Sequence, residues 1–127
     1  MEMNVSTGDV EYIAKVFRLL SQPARIEILL ILAQEEACVC HIEAVLGIRQ
    51  AAISQHLMQL RDARLVTSRR DGRNIFYCLA NSGLIEPVYK IASFSGISSE
   101  DLDRYSRRPV TNCPCPHCNS SVRSCDV

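Results

Sequence analysis

No apolar stretch in this chain approaches the roughly 18 residues that a membrane-spanning helix needs. The longest, Ile26 to Ala33, is already interrupted at Glu27. The opening residues Met1-Glu2-Met3-Asn4 are acidic and lack the basic start and apolar run of a secretion leader, so a cytoplasmic location is expected. A Ser-His-Asp set, a glycine-rich phosphate loop and a paired-carboxylate constellation are also missing, which argues against the common enzyme classes. The formal net charge is zero, and that absence conceals more than it excludes.

Charge is strongly partitioned along the chain. Residues 1–48 hold seven acids against three bases, and residues 74–127 hold five of each. Residues 49–73 carry Arg49, Arg61, Arg64, Arg69, Arg70 and Arg73 against only Asp62 and Asp71. A block whose basic excess is all arginine is either a footprint for phosphate or a solvated basic face.

Cysteine is the residue in surplus. There are seven, an odd number, and in a reducing compartment clustered thiols point to metal or redox chemistry before structural disulfides. Two clusters stand out: Cys38-Val39-Cys40, and Cys113-Pro114-Cys115-Pro116-His117-Cys118.

The periodicity predicts mainly helical structure with a small β-hairpin. Val10, Ile13, Ala14 and Phe17 form one stripe of a first helix. Ser21-Gln22-Pro23 restarts the chain, with Ser21 or Gln22 as cap and Pro23 at the first helical position. The second helix, about 23 to 34, is apolar on nearly every side, which marks a buried central helix. A third runs from about Cys38 to Leu46, with Gly47 as its C-cap. In the fourth, about 50 to 63, Ile53, Leu57 and Leu60 must face the core, while Ala51, Ser54, Gln55 and Met58 form a separate face. Two short helices joined by a glycine-containing turn, the second with a polar reading face, make a helix-turn-helix. The β-rich runs 65–68 and 74–79 surround Arg69-Arg70-Asp71-Gly72-Arg73, a hairpin whose tip carries arginines suited to a DNA backbone or minor groove. A last helix, about 84 to 95, places Leu84, Ile85, Val88, Ile91 and Ala92 on one side, available to the first helix and a second subunit. One more helical turn is expected within 98–108. The expected organisation is an arm (1–9), a winged helix-turn-helix domain (10–96) and a Cys-rich tail (97–127).

The candidate DNA contacts follow from this layout. Arg49, Arg61, Arg69, Arg70 and Arg73 suit phosphate; Gln50, Ser54 and Gln55 suit base edges; His56 suits either, or plain helix surface. Cys38 and Cys40 are either two small buried residues or a ligand pair. Residues i and i+2 cannot share a helix face. If Cys38 precedes the helix and Cys40 lies in its first turn, both thiols converge on one ion, and a helix start favours thiolate. Two sulfurs do not close a site, since a tetrahedral metal usually takes four ligands. Cys113, Cys115 and Cys118 can supply the rest; alternatively they form their own site with Cys125 or His117. Cys78 is expected to pack in a wing strand, and His41 is a further possible ligand.

Four segments bear a resemblance. Leu20-Ser-Gln-Pro-Ala-Arg-Ile-Glu-Ile-Leu29, Cys38-Val-Cys-His-Ile42, Ala51-Ala-Ile-Ser-Gln-His-Leu57 with Leu60-Arg61 and Leu65-Val66, and Arg69 to Leu79 resemble the arsenical-repressor (ArsR/SmtB) family of bacterial metal-sensing winged-helix repressors. The similarity covers roughly residues 10 to 95. It implies a homodimer that holds double-stranded operator DNA when metal-free and leaves when a thiophilic ion such as As(III), Cd or Pb binds. Three departures stand in this chain: His41 replaces an Asp of the metal box, Glu43 stands where arsenite-responding members often carry a third cysteine, and Arg49 replaces a Ser or Thr cap. The last helix also lacks the histidine of a zinc site. Two rivals remain open. One is a thiol redox sensor of the same fold, in which oxidation joins Cys38 or Cys40 to a tail cysteine. The other is a dithiol oxidoreductase or metallochaperone using Cys115-Pro-His-Cys118, although that spacing needs a βαβ setting not found here.

Overall fold

Helix α1 (Thr7–Leu19) begins where Ser6 and Asp9 cap each other: Ser6 Oγ accepts from the Asp9 amide at 3.3 Å, and Asp9 Oδ2 accepts from the Ser6 amide at 2.8 Å. The computed structural model describes residues 4–107. After a short break, α2 (Pro23–Gln34) starts on Pro23. Gln22 is its N-cap but makes no side-chain cap bond, and Ser21 Oγ donates back to the Arg18 carbonyl at 2.7 Å, so neither expected capping bond forms. Ile28 to Leu32 are all buried, as an all-round apolar helix requires.

The helix-turn-helix follows the predicted spans. Helix α3 (Val39–Leu46) closes on Gly47 at φ 71°, a left-handed turn that a side chain would strain. Helix α4 (Gln50–Asp62) buries Ile53, Leu57 and Leu60 to 1 % exposure or less, locking it against α2 and α3. Truncating any of the three to Ala would cost about 2–5 kcal/mol. Arg64 then adopts φ 64°, and the Leu65 amide reaches back to the Leu60 carbonyl at 2.9 Å, the six-to-one bond that ends helices on a left-handed residue.

Three strands make one antiparallel sheet in the order β1-β3-β2: β1 (Ala37–Cys38), β2 (Val66–Asp71) and β3 (Asn74–Leu79). The hairpin is as expected, but β2 runs on through Asp71, which pairs with Asn74. Arg69 and Arg70 therefore lie on the strand, and only Gly72 and Arg73 form the turn. Strand β1 was not expected; Ala37 faces Tyr77 and Cys38 faces Phe76, so β3 imposes the extended form on two residues with no strong preference of their own.

Past the wing, Asn81 caps a 3-10 turn (Ser82–Ile85) leading into α5 (Glu86–Phe94) and α6 (Ser99–Ser106). Helix α6 packs on α2 through a polar net. Asp103 accepts from Tyr89 Oη at 2.6 Å and from Gln34 Nε2 at 3.0 Å, Tyr105 Oη donates to Glu27 at 2.6 Å, and Arg107 Nε donates to Gln34 Oε1 at 2.8 Å. Helix α1 thus begins inside the expected arm, and α6, inside the expected tail, is docked on the core. The α1 stripe stays outside: Val10, Ile13 and Phe17 are 57, 53 and 61 % exposed, and Phe94 on α5 is 96 % exposed. No helix among the described residues is long and apolar enough to cross a membrane.

Candidate thiol site and nucleic-acid interface

Cys38 occupies two elements at once. It ends β1 and is the N-cap of α3, with extended backbone at φ −89° and ψ 166°. Cys40 lies in the first helical turn, and the two Sγ atoms stand 2.7 Å apart. This is the geometry in which both thiols meet at one point. Cys38 is buried, and both pack with Phe76. Two sulfurs placed together in this way are soft donors for thiophilic ions.

The other expected donors divide. His41 Nε2 lies 4.0 Å from Glu35 Oε1 and is mostly buried. Cys78 is half-buried on β3, as expected for a wing strand, with Sγ 3.9 Å from Glu36 Oε2. Cys113, Cys115, Cys118, Cys125 and His117 lie outside the described residues. Among the described residues no group of three or more His, Cys, Asp or Glu side chains gathers at a point, so the described part of the site consists of two sulfurs.

The candidate nucleic-acid face lies on α4 and the wing. Gln50, Ala51, Ser54, Gln55, Met58 and Arg61 are exposed and recur at helical spacing opposite the buried stripe. Arg49, the N-cap, makes no capping bond and is exposed, as are Arg70 and Arg73. Arg61 Nη1 also donates to Ser68 Oγ at 3.3 Å, joining the reading helix to β2.

Two expected DNA contacts are engaged elsewhere. His56 Nδ1 accepts from Arg25 Nε at 3.1 Å, while Arg25 Nη1 donates to the Leu19 carbonyl at 3.1 Å. Burial, and then the Arg25 charge, holds the His56 pKa below its ordinary value, so the ring that accepts this bond is neutral. Arg69 is turned onto Glu36, donating Nε to Oε2 at 2.8 Å and Nη2 to Oε1, with its guanidinium 5.0 Å over the Phe76 ring. Sequence reasoning gave Glu36 and Arg64 no role. Glu36 carries only a faint signal, an acid two residues ahead of a buried cysteine. The signal for His56 was available: with Ile53, Leu57 and Leu60 it completes an i, i+3, i+4, i+7 stripe.

Comparison with known proteins agrees with this architecture. Residues 22–68 match the model of the bacterial regulatory protein, arsR family. The chain is 34% identical over 88 residues to a transcriptional repressor SmtB homolog of Synechocystis sp., covering 69% of this chain and 67% of that protein. It is 31% identical over 102 residues to the nodulation protein NolR of Rhizobium meliloti, covering 80% and 81%. The crystal structure of NolR from Sinorhizobium fredii superposes with a TM-score of 0.66 at 28% identity, covering 76% of this chain and 100% of that one. With its helix-turn-helix and paired wing in place, the chain belongs to the ArsR/SmtB family of winged-helix transcriptional regulators.

Proposed function

We propose that this chain is a cytoplasmic, homodimeric repressor that holds operator DNA when ion-free and releases it when Cys38 and Cys40 take up a thiophilic ion such as As(III), Cd or Pb. The observation that carries the reading is the convergence of the two Sγ atoms, 2.7 Å apart, at the start of α3. Helix α3 is the first helix of the helix-turn-helix and packs directly on the reading helix α4. An ion gripped there acts on the element that positions Gln50, Ser54 and Gln55 over base edges. The exposed apolar stripes of α1 and α5 suit burial in a dimer.

Two sulfurs need completion, and the reading assigns it to Cys113, Cys115 and Cys118. Its support lies in where α6 ends. Arg107 bonds Gln34, the last residue of α2, four residues ahead of Cys38. Six residues from Arg107 to Cys113 reach up to about 20 Å when extended, enough to return to the box. Proline between the tail thiols restricts the backbone and lowers the entropy cost of ligation.

Sulfur counting by X-ray absorption on the Cd-loaded protein tests the site. Three or four sulfurs are expected in the full chain and two after truncation behind Val110, with dimerisation and operator binding kept in the truncated form. A truncated protein that still responds to arsenite or Cd as the full chain does would remove the tail from the site.

A further inference from the structure

Glu36 serves neither the reading face nor the thiol pair by contact with a ligand, yet it is 2 % exposed. A carboxylate buried to that degree persists only when it is paired. Its partner is Arg69, which comes from the wing 33 residues away and grips both carboxylate oxygens. The register explains why they meet. Cys38 on β1 faces Phe76 on β3, and Phe76 in turn faces Arg69 on β2, so the three form one row across the sheet. Glu36, two residues before Cys38, falls on the same face by strand alternation. Cys38 packs on Phe76, and the Arg69 guanidinium lies over that same ring. Backbone, ladder, ring stack and ion pair thus close a loop from Glu36 through Cys38, Phe76 and Arg69 back to Glu36.

We propose that this loop, locked by the Glu36–Arg69 pair, carries occupancy of Cys38 and Cys40 to the wing and so couples ion uptake to DNA release. The inference rests on the thiol-site reading and adds the route. Cys38 is buried against Phe76 and is laddered to it, so a shift of Cys38 on ion uptake passes to the ring and to the guanidinium above. Packed interiors pass such shifts on as rigid-body movements. Arg70 follows Arg69 on β2, and Arg73 sits at the turn that β2 enters. Both are expected phosphate contacts. Glu36 and Arg69 act here as positioning residues, since neither needs to touch the ion.

The test is the ratio of operator Kd with and without saturating Cd, measured by fluorescence anisotropy on the full chain. Cd uptake is followed separately by its thiolate charge-transfer absorbance. The wild type is expected to show a ratio between about 5 and 150. Glu36→Gln should take up Cd with unchanged stoichiometry while the ratio falls to within about twofold of one. The double variant Glu36→Gln/Arg69→Gln strands no charge, and Phe76→Leu leaves both charges paired, so at least one broken loop is available in a folded protein, checked by its Tm. A folded, Cd-loaded variant that releases operator as the wild type does would overturn the proposal. A wild type that binds Cd without releasing operator would overturn the thiol-site reading as well, and that outcome is visible before any substitution is made.

Discussion

Arg69 and Arg73 lie four residues apart with the same charge, and their surroundings give them opposite tasks. Arg73 is exposed at the wing turn, while Arg69 neutralises Glu36. Arg70→Ala and Arg73→Ala should weaken operator and random DNA alike, each lowering the slope of log affinity against log salt by about 1. Arg69→Ala should instead lower folding stability, by about 2 kcal/mol, because it strands a buried carboxylate. Urea denaturation beside salt-titrated binding separates the two effects. His56 gives a pH prediction. Its pKa is lowered in the folded state, so below the ordinary value of 6.5 the unfolded chain binds more protons. Stability from this group is complete above pH 6.5 and declines as pH falls below it. Urea midpoints compared at pH 7.5 and 5.5 should show that decline, and His56→Gln should reduce it. Charge and helical spacing made the arginines and His56 visible as candidates in the sequence. Their partners Glu36 and Arg25 come from 33 and 31 residues away, a separation that no local pattern encodes.

At the scale of elements, α2, α3, α4 and the hairpin were legible because each carries a strong periodic or turn signal. Strand β1 and the docking of α6 were not. A two-residue Ala-Cys strand exists only because β3 offers it a ladder, and α6 has a strongly polar sequence held by side-chain hydrogen bonds to α2 together with the packing of Leu102 on the core. Asp103 is central to that hold. Burial, followed by the bond to Asp103, pushes the Tyr89 hydroxyl pKa up to about 12, so it remains a donor throughout the physiological range. Asp103→Ala should loosen α6 and, by freeing the start of the tail, weaken Cd affinity at the thiol site severalfold while leaving operator affinity of the ion-free protein unchanged. Hydrogen exchange over residues 99–106 and a competitive Cd titration check the two halves of that expectation.

Across the whole molecule, a zero net charge resolves into an acidic stretch over residues 1–48 and an arginine-rich stretch over residues 49–73 that runs from the N-cap of α4 into the wing, so the candidate face for DNA and the thiol box occupy adjoining elements. The winged-helix architecture was readable from the chain because core-facing spacing and the Gly47 and Gly72 turns agreed with one another. The convergence of the two thiols was readable only as a condition, that Cys38 precede the helix, and the fold meets it. The central claim is that Cys38 and Cys40 link ion uptake to DNA release. It is tested most directly by gel-shift titration of operator complexes of the wild type, Cys38→Ser and Cys40→Ser with arsenite and with Cd under reducing conditions. The account predicts wild-type operator affinity in all three ion-free proteins, and ion-driven release in the wild type alone. Release from either serine variant at wild-type ion concentrations would contradict it.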